Sequence, residues 1–489
     1  MSTSIVKCRT QAQITPLGVD CETPMFSWQM AASRTGAKQS AYRIIVSKDK
    51  TMTPIIWDSN IVKSYIQHTA LTADCTRLEP STRYYWKVFV WDEENMMHES
   101  EVTWFETGLM GKDASVWNNA QWIGSPKQTT NTACLYSYQM NVDFKTGIGN
   151  KAGIVLSARN KDNYVLFDVD MDNRTLMIYE YCDNAWDGST KEGHLPTVTI
   201  LGSKVGYIIS KEAVSEGLEH DWNTISITVD NRDLSVSINN VTVIQKEADL
   251  MPNAGFFVPR RGCLFSIGFK QLGSTAYYDN LVISDPKTNT VFQNESFSDE
   301  SGIFSVLGSC KDGILTVKNQ FELACPVPAI NLLGTFHSNP SKKIASARLY
   351  ATARGSYRVK VNGIDADGSF FAPGFTDYRL RIFYQTYDVT NLLHEGENQL
   401  LATVGKGYYN GYCGYSGPMK YGEQNSFMGR MIVTYTDGSK DELVTDNSWL
   451  FTDKGAVVDS DYLDGENYDA RLLPNALSHI DNSDKRWKT

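Results

Sequence analysis

Residues 344–363 give the first indication of the fold, and they read Ile-Ala-Ser-Ala-Arg-Leu-Tyr-Ala-Thr-Ala-Arg-Gly-Ser-Tyr-Arg-Val-Lys-Val-Asn-Gly. Tyr357, Val359 and Val361 alternate with polar residues, which is the period of a strand that has one buried face. Asn362 and Gly363 follow directly, and this dipeptide is the strongest short signal for a hairpin because both residues accept a positive φ. The stretch therefore predicts antiparallel strands joined by tight turns.

The segments that follow continue this pattern. A second alternation covers residues 382–389, and an apolar strand is predicted at 399–404 after a Glu-Gly-Glu-Asn turn. With the Ala-Pro-Gly-Phe-Thr-Asp-Tyr-Arg of residues 372–379 and the Gly-Lys-Gly-Tyr-Tyr-Asn-Gly of 405–411, they resemble the β-sandwich module in front of the catalytic barrel of bacterial α-L-rhamnosidases. The resemblance implies a module over residues 331–489, which we expect to be incomplete at its end.

Residues 5–125 form a first block of short alternating segments at roughly ten-residue spacing, the pattern of a small antiparallel sandwich. Residues 83–92 read Arg-Tyr-Tyr-Trp-Lys-Val-Phe-Val-Trp-Asp and predict a central strand, because both of its faces are largely apolar. The block ends near a Trp-Ile-Gly at 122–124. It resembles the fibronectin-III-like module that opens many α-L-rhamnosidases.

The middle block, residues 126–330, is predicted to be an inserted domain. Its segments alternate, for example at 163–170 and 222–230, and a Tyr-Asp-Asn-Leu-Val closes it at 278–282. The order resembles a laminin-G or concanavalin-like jelly roll. We therefore expect an all-β chain of three antiparallel β-sandwich domains with boundaries at 5–125, 126–330 and 331–489.

Composition limits the classes of partner. The chain of 489 residues has a net charge of −10 and contains 25 Tyr, 20 Phe and 11 Trp. An acidic chain without a basic patch argues against nucleic-acid binding, and no run of apolar residues is long enough to span a membrane. The resemblance implies a rhamnose-containing carbohydrate as partner, and the oligomeric state stays open.

No cofactor or metal is predicted. The nine Cys are scattered without a Cys-X-X-Cys pair, and the seven His do not lie at metal-ligand spacing. Asp168, Asp170 and Asp172 alternate along one strand but lack the glycine turn and distal Glu of an EF-hand loop. The first residues contain no apolar signal segment, which predicts a cytoplasmic chain as written and a periplasmic or secreted one if a signal was removed.

Glycoside hydrolysis needs two carboxyl groups that flank the scissile bond. The resemblance implies that both are Glu residues of a helical (α/α)₆ barrel, and no pattern of such a barrel is present in these 489 residues. Asp464 and Glu466 are the nearest local pair, but two positions in one turn need not oppose each other across a substrate. We assign no catalytic residue.

Sugar binding needs an aromatic platform and convergent polar groups, and two aromatic stretches have this composition. The first contributes Tyr181, Asp183, Asn184 and Trp186 in the middle block, and the second contributes Tyr409 and Asn410 in the last block. The alternative is that these aromatic residues pack domains together. Asp377 is a further candidate, for which the alternative is a role in stabilising its own turn.

Two functions follow from these observations. The leading hypothesis is that the chain is the amino-terminal, non-catalytic portion of an α-L-rhamnosidase, inactive alone, which supports a barrel that hydrolyses terminal α-L-rhamnose from glycans or glycosides. The alternative is a stand-alone carbohydrate-binding protein in which the middle sandwich recognises the sugar. An independent enzyme is the least supported, because no nucleophile and base, metal triad or cofactor motif is present.

Overall fold

The structure is a computed structural model, and it confirms the prediction of an all-β chain built from antiparallel sheets. It describes residues 3–72, 77–111, 113–124, 135–160, 163–182, 196–251, 266–297, 310–323, 328–413, 420–422, 424–463, 465–472, 480 and 486–488. No helix in these ranges is long and apolar enough to cross a membrane.

Two sheets with the orders β1-β2-β5 and β4-β3-β6-β7 enclose the first core, and β8 pairs with β6. On β6, Tyr84, Trp86, Val88 and Val90 point inward in the predicted alternation. Trp86 meets Phe26 of the facing sheet with ring centroids 4.7 Å apart. The strands are β1 Thr3–Thr10, β2 Met25–Ala32, β3 Gln39–Ser47, β4 Ile55–Asp58, β5 His68–Ala70, β6 Arg83–Asp92, β7 Met97–Glu99 and β8 Thr103–Glu106.

The middle sandwich has two larger sheets, with the orders β18-β17-β16-β10-β20-β23-β22 and β14-β13-β12-β11-β19-β24. They share one apolar core, in which Phe269 stacks on Tyr278 at 4.0 Å. The two-residue strand β9, Ile123–Gly124, precedes this sandwich in the chain and is not part of its sheets. The strands of the middle sandwich are β10 Ser137–Thr146, β11 Lys151–Asn160, β12 Asn163–Asp170, β13 Thr175–Cys182, β14 Thr197–Ile200, β15 Tyr207–Ile208, β16 Asn223–Asp230, β17 Asp233–Ile238, β18 Val241–Glu247, β19 Ser266–Lys270, β20 Thr275–Ser284, β21 Val291–Glu295, β22 Cys310–Lys311, β23 Ile314–Lys318 and β24 Phe321–Leu323.

The third sandwich pairs a sheet of order β28-β27-β30-β25-β33 with one of order β29-β26-β31-β32. Asn362 and Gly363 have φ of 50° and 81°, which confirms the predicted hairpin turn. The elements are β25 Ile330–Ser338, β26 Ile344–Arg354, β27 Ser356–Val361, β28 Ile364–Asp365, β29 Gln385–Asp388, β30 Gly396–Gly405, α1 Gly407–Asn410, β31 Ser426–Tyr435, β32 Lys440–Val444, β33 Leu450–Thr452, β34 Val457–Asp461 and β35 Gly465–Tyr468, with 3-10 turns at Thr390–Leu392 and Ala470–Leu472. A further 3-10 turn, Ala114–Trp117, lies between β8 and β9 in the chain.

The first and third sandwiches are in direct contact. Strand β9 follows the first sandwich in the chain but pairs with β31 of the third, where Ile123 lies opposite Phe427. A separate apolar cluster lies between the two, and its buried members are Leu109, Trp117, Tyr350, Met428 and Ile432. The Trp-Ile-Gly segment therefore contributes to the sheet of the last sandwich.

Candidate functional site

A cavity with a volume of about 770 Å³ lies on the outer face of the β28-β27-β30-β25-β33 sheet of the third sandwich. Its floor is a row of cross-strand neighbours: Arg358 of β27 lies opposite Thr403 of β30, Thr403 opposite Asn331 of β25, and Asn331 opposite Thr452 of β33. Along β27, Tyr357 and Val359 point into the core, and Arg358 between them therefore points towards this cavity. The volume is within the usual range for small-molecule sites.

Aromatic side chains form the walls. Phe371 contacts Tyr462 at a centroid distance of 5.1 Å, and Tyr462 contacts Tyr408 at 4.5 Å, both in edge arrangements. Phe370 and Phe371 are 67% and 65% exposed, although exposed Phe pairs are unusual on a protein surface. Tyr468 and Trp487 line the cavity as well. Such rings can pack on the apolar face of a sugar or on another protein surface.

Two residues that line the cavity, Lys454 and Asn331, each have a side-chain nitrogen (Nζ and Nδ2) that is shielded from solvent and has no hydrogen-bond partner among the described residues. The other amide atom of Asn331, Oδ1, accepts a hydrogen bond from Thr403 Oγ1 at 2.7 Å. A Cβ placed on Gly455, the residue after Lys454, would be 2.0 Å from Asn331 Nδ2. Burial lowers the pKa of the Lys454 ammonium group.

The structure places Tyr409 and Asn410, predicted as sugar contacts, on the short helix α1 beside the cavity. Tyr409 packs edge-on against Tyr378 at 5.5 Å, and Gly422 lies against its ring. Asn410 is fully buried, and neither side-chain polar atom has a hydrogen-bond partner in the described part of the chain. The side chain that lines the cavity from this helix is Tyr408.

Asp377, the third candidate in this block, is engaged within its own turn. Arg379 donates to it from Nε at 2.9 Å and from Nη2 at 2.6 Å. These hydrogen bonds lower the pKa of Asp377 to about 2. The geometry corresponds to the turn-stabilising alternative considered for this residue.

In the middle sandwich, Tyr181 lies on the outer face of the β14-β13-β12-β11-β19-β24 sheet. Its ring stacks on Tyr164 at 4.5 Å with an interplanar angle of 14°. Lys270 Nζ lies 4.2 Å from the centroid of Tyr181 and 5.7 Å from that of Phe321, within the range of cation–π interactions. Asp183, Asn184 and Trp186 lie outside the described residues.

The acidic residues of the same face bind a lysine. Lys151 Nζ lies 3.5 Å from Asp168 and 3.1 Å from Asp170. Burial raises the pKa of Asp168. Within the described ranges, no three His, Cys, Asp or Glu side chains come together in a way that could hold a metal ion.

Several cavity residues were missed by the sequence analysis. Lys454 and Asn331 carry no motif, and their proximity depends on the pairing of β25 with β33. A signal was available for Phe370 and Phe371, because two consecutive Phe residues in a predicted loop are difficult to bury. The sequence analysis named Tyr409 and Asn410 as candidates on α1, and the residue of this helix that lines the cavity is their neighbour Tyr408.

The fold and the cavity define the class to which this molecule belongs: it is a chain of antiparallel β-sandwiches that carries a cavity lined by aromatic side chains. Comparison with known families is more specific. Residues 5–111 match the Rha78A-like N-terminal immunoglobulin domain, and residues 342–489 match the alpha-L-rhamnosidase N-terminal domain. The resemblance to the amino-terminal domains of bacterial α-L-rhamnosidases is therefore confirmed.

Individual relatives cover different parts of the chain. An alpha-L-rhamnosidase of Streptomyces avermitilis is 31% identical over 480 residues, which are 96% of this chain and 43% of the relative. One from Formosa agariphila is 36% identical over 149 residues, or 30% of this chain and 16% of the relative. The chain thus spans less than half the length of these curated relatives.

Solved structures show the same fold. The crystal structure of Streptomyces avermitilis alpha-L-rhamnosidase complexed with L-rhamnose has a TM-score of 0.56 and 22% identity, and the match covers 99% of this chain and 44% of that one. The alpha-L-rhamnosidase from Dictyoglumus thermophilum has a TM-score of 0.52 at 20% identity, covering 99% and 33% of the two chains.

Proposed function

We propose that this chain is the amino-terminal, non-catalytic portion of an α-L-rhamnosidase. In this account its three sandwiches support a helical (α/α)₆ barrel that removes terminal α-L-rhamnose from glycans or glycosides. One observation carries the proposal: 96% of this chain aligns with the Streptomyces avermitilis relative, yet it accounts for only 43% of that protein. The partner in this account is a rhamnose-containing carbohydrate.

The domain division proposed from the sequence, 5–125, 126–330 and 331–489, belongs to this account. Its support is that each pair of sheets encloses a separate apolar core. The contacts between the first and third sandwiches suit a support function, because they fix the relative orientation of two modules.

The reading frame that contains this sequence tests the proposal. The account expects it to continue into a helical domain that holds two catalytic Glu residues, as the resemblance implies. A stop codon directly after residue 489 in the natural gene would contradict the proposal. It would favour the binding function described next.

A second candidate function is carbohydrate binding by the middle sandwich, as a stand-alone property of the chain. The observation in its favour is the pair Tyr164 and Tyr181, stacked beside Lys270 on an outer sheet face, directly before the segment with Asp183, Asn184 and Trp186. A stacked aromatic pair next to polar side chains has the composition of a sugar site. Titration of L-rhamnose and rhamnose-containing oligosaccharides into the chain tests it, and no binding at millimolar sugar would contradict it for these ligands.

A further inference from the structure

Six aromatic side chains form one surface of the third sandwich, here called the aromatic patch: Phe370, Phe371, Phe375, Tyr408, Tyr462 and Tyr468. Phe370 contacts Phe371, which contacts Tyr462, with centroid distances of 6.4 and 5.1 Å. Tyr462 contacts Tyr408, which contacts Phe375, at 4.5 and 5.0 Å. The three Phe side chains are 67%, 65% and 54% exposed in chain order. A contiguous apolar surface of this kind is rare on a monomer and marks an interaction site.

The hairpin of β34 and β35 forms one side of the aromatic patch. Its two strands make a sheet of their own. Strand β34 is attached to the body of the sandwich, because the backbone N–H of Lys406 donates to the carbonyl of Ser460 at 3.1 Å. All four residues of β35, Gly465–Tyr468, are exposed. A two-stranded hairpin is only marginally stable in water by itself, so a second body packed on β35 would stabilise it.

The most exposed side chains of this surface indicate the kind of partner. Phe370, Phe371 and Phe375 carry no polar atom, and Leu463, at the tip of the hairpin, is 51% exposed as well. A sugar needs convergent polar groups beside its aromatic platform, whereas the core of a protein interface is rich in aromatic residues and poor in charge. The aromatic patch therefore fits a polypeptide surface with apolar side chains.

The position of residues 486–488 indicates which polypeptide this is. Trp487 lines the same cavity as the patch. Lys488 is fixed to β33, because the backbone N–H groups of Phe451 and Lys488 each donate to the carbonyl of the other, at 2.7 and 2.8 Å. In the proposed function, a helical domain is joined to the chain beyond these residues. A domain tethered beside the patch has an effective concentration of roughly millimolar there, which a second copy of the chain in dilute solution does not reach.

We propose that the aromatic patch is the surface on which the helical domain packs, with Phe370, Phe371 and Phe375 at the centre of the interface and β35 against the same domain. This inference rests on the proposed function. It adds to that function the face of the chain through which the third sandwich supports the helical domain.

Hydroxyl-radical footprinting tests the surface by comparing the 489-residue chain with the full product of its natural reading frame. Mass spectrometry gives the oxidation rate of each ring in both proteins. The rates of Phe370, Phe371 and Phe375 should fall about fivefold or more in the full product, because the core of an interface excludes solvent. Tyr65, which is 82% exposed on the first sandwich, is the internal control and should react equally in both. Equal rates for the three Phe residues would contradict the proposal.

Phe371→Asp is a second test. The exposed ring can be removed without opening a core cavity, so the melting temperature of the 489-residue chain should stay unchanged. In the full product the same change buries a charge without a partner and should lower the melting temperature by about 2 °C or more. Tyr65→Asp is the matched control and should shift neither protein. An equal shift of both proteins by Phe371→Asp would show that this ring acts only within its own sandwich.

The outcomes separate this inference from the proposed function. A stop codon directly after residue 489 would refute both. A full product with a helical domain whose three Phe rings stay as reactive as in the chain would refute the docking surface alone. Protection of these rings in the 489-residue chain by dimerisation, measured by analytical ultracentrifugation, would make a second copy the occupant and contradict the proposal. Protection by a rhamnose-containing oligosaccharide would contradict it in favour of a sugar.

Discussion

Glu106 of the first sandwich and Arg348 of the third form a buried ion pair, although they are 242 positions apart. Arg348 Nε lies 2.6 Å from Glu106 Oε1, and Arg348 Nη2 lies 3.1 Å from Oε2. Their side chains are only 9% and 6% exposed. Arg83 also binds the carboxylate, from Nη2 at 3.0 Å. Because this bidentate geometry holds only when the two sandwiches are correctly oriented, the pair fixes their arrangement.

Removing the charge of this carboxylate should destabilise the contact between the sandwiches. Glu106→Gln leaves Asp388, 2.8 Å from Arg348 Nη1, as the remaining carboxylate partner of the buried guanidinium, and we expect a loss of about 1–3 kcal/mol in the free energy of unfolding. Urea denaturation followed by tryptophan fluorescence measures it. Glu99→Gln is the control: Glu99 is 56% exposed and pairs with Lys87, so its loss should be below about 1 kcal/mol. Equal effects of the two variants would show that the buried pair has no special role.

Gly334 of β25 lies directly against the indole ring of Trp449. A Cβ at this position would be 2.5 Å from the ring, and neither the strand nor the buried Trp can move away easily. We expect Gly334→Ala to cost about 1–3 kcal/mol by overpacking, as measured by a thermal melt. Gly368→Ala, where the added methyl group meets open space, is the matched control. A melting temperature unchanged by Gly334→Ala would contradict this packing.

The fold was largely predictable from local signals. The alternation of Tyr357, Val359 and Val361 with polar residues indicates a strand with one buried face, and the turn at Asn362 and Gly363 needs residues that accept a positive φ. Both features can be predicted without knowledge of the tertiary structure. The position of strand β9 could not be predicted in this way. Its pairing with β31 joins residues about three hundred positions apart, and a two-residue strand has no periodicity of its own.

The cavity could not be predicted for a related reason. Its floor combines β27, β30, β25 and β33, and the burial of Lys454 depends on how the turn after β33 lies against neighbouring segments. An isolated lysine in a polar turn gives no sign of being shielded from water, because most lysines there are exposed. The role of Asp377, by contrast, could be predicted from the sequence. It depends on a local Asx-type hydrogen bond, in which the backbone N–H of Arg379 donates to the Asp377 carboxylate.

Asp92 predicts how stability depends on pH. Its carboxylate contacts His98 at 2.9 Å, accepts from the backbone N–H groups of Met96 and Glu94 at 2.9 Å each, and binds Arg34 at 3.2 Å. These contacts, with the His98 hydrogen bond the largest cause, lower its pKa from 3.8 to about 2. Because the folded pKa is depressed, the stabilisation is complete above the unfolded value of 3.8 and is lost as the pH falls towards 2.

Asp92→Asn should therefore be less stable than the parent at neutral pH, and the difference should shrink as the pH falls through this window. Urea midpoints of both proteins, measured at neutral pH and at several points below about pH 4, give the comparison. A difference between the two proteins that stays constant over this range would rule out Asp92 as the titrating group.

Trp186 distinguishes sugar recognition from packing in the middle sandwich. If it is a stacking platform, Trp186→Ala should weaken binding of a rhamnose-containing oligosaccharide by about 1–3 kcal/mol and leave the melting temperature nearly unchanged. If it is a packing residue, the same change should cost about 3–5 kcal/mol of stability through a core cavity. Titration beside a thermal melt measures both quantities. Loss of stability without loss of affinity would contradict the binding assignment.

The most direct measurement of the central claim is hydrolysis of an aryl α-L-rhamnoside, by this chain and by the full product of its natural reading frame. The account predicts release of the aryl group by the full product and none above buffer background by the 489-residue chain, because hydrolysis needs two carboxyl groups held across the scissile bond. Turnover by the chain alone that survives repurification and disappears in Asp464→Asn or Glu466→Gln would contradict it.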